Sequence, residues 1–199
     1  MNVDDTALIL IGYQNDYFAN NGILYTVVEE SLNANHVLDN SVNLVQSLIE
    51  QNMLIVSTPI CFTAQYEELK DPVGILKIIK DKGAFKAGTS GAETIEQMKQ
   101  FGDAITEIPG KRGLDAFSNT QLDDIFQERG IQNIVIAGVV TSVCVDTTGR
   151  AAQARDYHVS ILSDCTAGRT PFEQEFYCKQ IFPIYAEVLD SGTLVSRLS

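Results

Sequence analysis

Ile134-Val135-Ile136-Ala137-Gly138-Val139-Val140-Thr141-Ser142-Val143-Cys144-Val145 is the stretch whose reading decides the fold. Ile134 to Ala137 is a short apolar run rich in β-branched residues and closed by Gly138, the pattern of a strand buried on both faces. Thr141 and Ser142 are helix-capping types, and small and apolar residues run from Val143 to about Ala154, which predicts a helix. Cys144 then falls in the first helical turn, near unpaired backbone N–H groups and the positive end of the helix dipole. Both favour the thiolate, the form that attacks carbon. Taken without that setting, Cys144 is simply a small core residue, since free cysteines are among the most buried types.

Working outward, Ala7 to Ile11 is a second buried strand, ending at Gly12 and followed by the polar aromatic loop Tyr13-Gln14-Asn15-Asp16-Tyr17-Phe18 and turn chemistry at Asn20-Asn21-Gly22. Apolar residues at helical spacing predict a helix from Ser31 to Gln51. Strands are expected at Met53 to Ser57, Ala104 to Ile108, Tyr157 to Leu162 and Ala186 to Leu189. Helices are expected near 73–80, near 92–101, at Asn119 to Arg129, and from Pro171 to about Tyr185. Strands alternate with helices and no hairpin signal joins neighbours. The predicted fold class is therefore α/β, three layers with a mostly parallel sheet of about six strands and helices on both faces.

The 199 residues suit one domain, 1–199, with a full core. A net charge of -12 argues against nucleic acid, anionic membrane and polyanionic substrates, which the summed field repels. Met1-Asn2-Val3-Asp4-Asp5 is acidic where a signal peptide is basic, and the apolar run after it is too short to export or span anything. The cysteines, Cys61, Cys144, Cys165 and Cys178, have no metal-like spacing. A reducing cytoplasm is the compartment these features point to.

In a parallel sheet the chemistry gathers at the carboxyl ends of the strands. Gly12 to Phe18, Gly110 to Phe117 and Val139 to Cys144 therefore point at one crevice, bringing a polar aromatic loop, a lysine-bearing loop and a cysteine. Lys111 follows a strand-ending Pro109-Gly110, which favours a site role over the usual fate of a lysine in a loop, solvation at the surface.

Along nearly its whole length the chain resembles the isochorismatase-like cysteine hydrolases, which include nicotinamidases and carbamoylsarcosine amidases. Ala7 to Phe18 resembles a hydrophobic strand followed by Asp-x-Gln-Asn-Asp-Phe, Lys111 to Phe117 resembles Lys-x-x-x-Ser-Ala-Phe, Gly138 to Cys144 resembles Gly-x-x-Thr-x-x-Cys, and Ser163-Asp164 resembles the Asp closing the next strand. The resemblance implies Cys144 as nucleophile and Lys111 as the cation that stabilises the thiolate and the attacked intermediate. It also implies a cis peptide between Val139 and Val140, with the amides of Val140 and Cys144 forming an oxyanion hole. Homodimers or homotetramers are implied too.

Two departures bear on mechanism. The family's general base is the Asp at the end of strand one, where this chain has Gly12, and Asp115 stands where the lysine motif usually has Ser. Asp115 is expected either to supply the base or to pair with Lys111, unless it is an ordinary loop Asp. Asp16 is a weaker candidate, because the family carries that Asp as well as its base. Nicotinamidases hold a metal through an Asp and two His after strand two. Ser57 to Thr63 has no His, and His36 and His158 fall in the first helix and on a later strand, so no metal and no cofactor are expected.

The resulting expectation is a metal-free cysteine hydrolase cleaving a C–N bond in a small amide or carbamoyl-type substrate, with Tyr13, Phe18 and Phe117 as pocket walls or, equally, as core aromatics. The alternative is a catalytically silent binding homologue that kept the pocket and lost the base. A vinyl-ether hydrolase needs protonation by the strand-one Asp, which Gly12 argues against most strongly.

Overall fold

Thr6–Ile11 (β1) is buried at every position because it runs through the middle of the sheet. In the computed structural model, which describes residues 1–198, its parallel neighbours are Leu54–Ser57 (β2) and Asn133–Val139 (β4). Thr106–Glu107 (β3) completes one edge, while His158–Ala167 (β5) and Glu187–Leu189 (β6) complete the other. The order is β3-β2-β1-β4-β5-β6 and every pairing is parallel. This is the expected α/β architecture.

Alternation along the strands sorts the core into two faces. Ala7, Ile9, Ile11, Ile134 and Ile136 face one side with Leu122–Glu128 (α6) and Asp146–Gln153 (α7), the helix that follows Cys144. Leu8, Leu10, Val135 and Ala137 face the other, against Val37–Glu50 (α3) and Ser191–Leu198 (α9). A third cluster caps the carboxyl ends of β4 and β5: Val139, Val140 and Ala167 meet Tyr17, Phe62 and Phe85, with Tyr25–Ala34 (α2) and Gly74–Lys82 (α4) outside them. At the join of β1 and β4 the backbones approach so closely that a Cβ on Gly138, at φ +125°, would lie 1.9 Å from the Ile11 carbonyl oxygen. Only glycine fits there.

The structure corrects several boundaries. The helix expected from Ser31 to Gln51 is two helices, α2 and α3, broken at His36 in the left-handed region at φ 49°. The helix near 92–101 contracts to Glu96–Lys99 (α5), and Pro171–Phe176 (α8) passes into a wider π turn, Tyr177–Ile181, and a tight turn, Phe182–Ile184. β5 runs on to Ala167 through a register shift between Ile136 and Gly138, so Asp164 lies within the strand rather than closing it. α9 was not foreseen; Asp164 holds its start by accepting from the Ser191 amide at 2.9 Å and the Ser191 hydroxyl at 2.6 Å.

Candidate active site

Cys144 sits in Thr141–Val145, a π-helical turn that leads directly into α7. The amides of Val143 and Val145 both donate to the Val140 carbonyl, at 3.0 and 3.2 Å, which widens the turn. The turn is tied down from outside as well. Thr141 donates its hydroxyl to Gln174 Oε1, and Gln174 Nε2 donates to the Ser163 carbonyl at 3.0 Å and Thr166 Oγ1 at 2.9 Å. Gln174, on α8, thus locks the cysteine turn to the irregular part of β5. The Val139–Val140 peptide is cis, as the resemblance implied, and the Val140 amide donates to no group among the described residues.

Lys111 is 1 % exposed, and its Nζ has no hydrogen-bond partner among the described residues. That excludes the solvated surface lysine. A buried ammonium without an anion is costly, and the cost is relieved when a negative atom comes beside it. The lysine segment is docked on the cysteine helix: Ala116 N–H donates to Thr148 Oγ1 at 3.1 Å, and Ala116 and Phe117 share a core cluster with Cys144 and Val145.

The first loop is built around two polar side chains. Gln14 accepts from the Ile60 amide at 3.0 Å and donates to the carbonyls of Ile60 and Ala92 at 2.9 and 2.7 Å, stitching three segments together. Asp16 is 2 % exposed and accepts from the Phe85 amide at 2.6 Å and the Ile23 amide at 3.2 Å. Its carboxylate therefore fastens the segment that covers the site. Phe85 in turn packs on Tyr17, ring centroids 4.9 Å apart, and its carbonyl accepts from the Phe62 amide at 2.9 Å, while the Phe62 carbonyl accepts from the Ala87 amide at 2.8 Å. Tyr17 lies on the single helical turn Asn15–Phe18 (α1) and is buried beside the cysteine. Desolvation pushes its phenol well above the usual range, and the neighbouring Cys144 and Asp16 add to the rise.

Other expected site residues lie elsewhere. Asp115 bonds the Phe117 amide at 2.9 Å and the Ser118 hydroxyl at 2.7 Å, and it makes no ion pair with Lys111; its two oxygens close its own loop. Tyr13 lines a cavity beside the site, while its hydroxyl meets Ser41 Oγ at 2.6 Å and Phe18 stacks on it at 5.0 Å. Phe117 is core, packed on Phe126 and Tyr157 with the Arg155 guanidinium over its ring at 4.7 Å. The aromatic that reaches the cysteine is Tyr17. Sequence reasoning quoted it without singling it out, because the single turn of α1 that aims it inward has no periodicity to read.

A cavity of about 670 Å³ opens beside the site, at the carboxyl ends of β1, β2 and β3. Gly110 and Arg112 line it and the buried Lys111 between them does not. Cys144, at 3 % exposure, is likewise not in its lining. Among the described residues no group of three or more His, Cys, Asp and Glu is placed to hold a metal ion, and no helix is long and apolar enough to cross a membrane.

A sheet of this order, with a cysteine at the start of the helix after its central strand and a buried lysine on a loop docked against that helix, defines a class that comparison identifies. Residues 6–193 match the isochorismatase domain family, and the chain belongs to it. Similar proteins include the ureidoacrylate amidohydrolase of Klebsiella pneumoniae, 28% identical over 98% of this chain and 87% of that protein. Among solved structures, a cysteine hydrolase from Pseudomonas syringae pv. phaseolicola superposes with a TM-score of 0.86 at 20% identity, covering 99% of this chain and 93% of that one. N-carbamoylsarcosine amidase from Thermoplasma acidophilum superposes with a TM-score of 0.73 at 18% identity, covering 96% and 97%.

Proposed function

We propose that the protein is a cysteine hydrolase that cleaves a C–N bond in a small amide or carbamoyl-type substrate, with Cys144 as nucleophile and neither metal nor cofactor. The observation that carries the reading is Lys111, whose buried Nζ has no partner among the described residues, on a loop pinned to the cysteine helix. Its charge matches the two anions such a reaction makes, the thiolate and the tetrahedral oxyanion. Family membership supports the reaction type, as do the names of two similar proteins, an amidohydrolase and an amidase.

In this reading Cys144 Sγ attacks the carbonyl carbon while the amides of Val140 and Cys144 hold the oxygen. The amine departs, and water then releases the acyl group from sulfur. Asp115 contributes by fixing the loop that carries Lys111. Small uncharged or weakly charged substrates suit a chain of net charge -12. A homodimer or homotetramer belongs to the same reading, and size-exclusion chromatography with light scattering measures it.

The test has two arms. Iodoacetamide should label Cys144 rapidly and saturably at neutral pH while Cys61, Cys165 and Cys178 react slowly. A panel of small amides and N-carbamoyl compounds should then yield a substrate for the wild type that Cys144→Ala does not turn over. Uniformly slow labelling together with no turnover would leave the silent binding homologue, which the 3 % exposure of Cys144 favours.

A further inference from the structure

Expelling an amine requires a proton on the departing nitrogen, because an amide anion is too basic to leave. The carboxylates near the cysteine turn are occupied. Asp16 holds two backbone amides, Asp115 closes its own loop, and Asp146 bonds Arg150 and the Tyr185 hydroxyl. Position 12, at the end of β1, has no side chain. It resists acquiring one: at φ +73° a Cβ there would stand 2.9 Å from the Val139 carbonyl oxygen and 3.0 Å from Val139 Cγ2.

What fills that corner is Tyr17. Its Cδ2 is 3.4 Å from where a side chain at residue 12 would begin. It packs in one cluster with Val139, Val140 and Val143, the residues that lead into the cysteine. The ring is held by Phe85, yet the hydroxyl bonds to nothing among the described residues. A buried phenol with an uncommitted O–H beside a nucleophilic sulfur is placed to serve as an acid.

Building on the cysteine-hydrolase reading, we propose that the Tyr17 hydroxyl donates the proton that lets the substrate nitrogen leave. Cys144 starts as a thiolate with Lys111 as its counter-cation. The S–C bond forms as the carbonyl electron pair moves onto oxygen. When that pair returns, the C–N bond breaks, its electrons stay on nitrogen, and nitrogen takes the phenol proton. A thioester and a phenolate remain. Water then adds to the thioester carbon and gives its proton to the phenolate. The C–S bond breaks, and the thiolate and the phenol are restored.

The electrostatics favour this order. Burial and the adjacent sulfur both hold the phenol in its protonated form, so it enters the reaction as an acid. Acylation consumes the negative charge on sulfur and removes one of those influences, at the step where the proton must move.

The test compares para-nitrophenyl acetate with para-nitroacetanilide, which carry the same acyl and aryl groups on O or on N. Nitrophenolate leaves without a proton; nitroanilide requires one. Tyr17→Phe removes only a hydroxyl that bonds to nothing among the described residues, and an unchanged thermal midpoint verifies the fold. The expected result is an ester burst within about twofold of wild type and anilide cleavage slower by about a hundredfold or more. Wild-type anilide rates in Tyr17→Phe would overturn the proposal and leave Lys111 as the donor. An ester burst in the wild type with no anilide cleavage would also overturn it, since the enzyme then delivers no proton. Absence of any burst that depends on Cys144, judged with Cys144→Ala, would instead sink the cysteine-hydrolase reading itself.

Discussion

Cys144 and Cys165 are both buried thiols, yet their surroundings set them apart. Cys165 lies on β5 among Leu8, Leu10, Val135 and Tyr13, on the face away from the lysine loop. Burial pushes its pKa up to about 12, with the Asp164 carboxylate adding to the rise, so it stays a neutral thiol. Cys144 sits at the opening of a helical run, with a buried cation on the loop docked against that helix and a phenol beside it. Burial alone makes a cysteine inert; an electropositive setting at a strand's carboxyl end is what the proposed role of Cys144 requires.

The contrast breaks most visibly under Cys144→Ala. Amide hydrolysis should fall by about a thousandfold or more, and rapid iodoacetamide labelling should vanish. Cys165→Ala should leave both intact; if labelling is lost with Cys165 instead, the assignment is reversed. Next in size is Lys111→Met. Alkylation of Cys144 at neutral pH should slow by about tenfold or more, while stability to urea holds or rises by about 1 kcal/mol, since an unpaired buried charge has gone. A large loss of stability would mean that the lysine is structural.

The third measurement concerns Cys165 and pH. Its thiol pKa is 9.0 in the unfolded chain and about 12 in the fold. Between those values the native state keeps a proton that the unfolded state has lost. Stability is therefore full below the lower value and declines as pH rises toward the upper one, by at most about 1.4 kcal/mol per pH unit. Urea titrations across that window should show the decline, and Cys165→Ala should make it shallower, the remaining slope coming from groups such as Cys178 and Tyr157, which burial pushes up to about 11 and about 12. The smallest effect belongs to Asp115→Asn. It should cost under about 1 kcal/mol and change Cys144 alkylation by less than about twofold, because the side chain serves its own loop. A shifted pH profile for alkylation would return Asp115 to the thiol.

Most of the architecture was legible because the strands are short, apolar and β-branched, and buried strands carry their signal locally. The cysteine turn and the lysine loop were legible for a related reason: each follows a strand end, and the topology does the rest. What could not be read depends on direction. Phe18 and Phe117 stood in the right loops, as did Tyr13, which lines the cavity, but whether a loop aromatic points at the crevice is set by turns such as α1 and the Asp115 loop, which have no repeating pattern. The break at His36 was hidden because apolar spacing continues across it, and α9 was missed because its anchor, Asp164, is distant in sequence. Gln174 could not have been found from spacing, since its partners come from three separate segments.

The grip of Asp16 on the Phe85 and Ile23 amides has an engineering consequence. Whoever transplants the covering segment from one relative to another, hoping to exchange what the enzyme accepts, must preserve the amide that this carboxylate catches. A graft that shifts it by one residue would arrive with its aromatic wall out of alignment with Cys144, however well the new side chains were chosen.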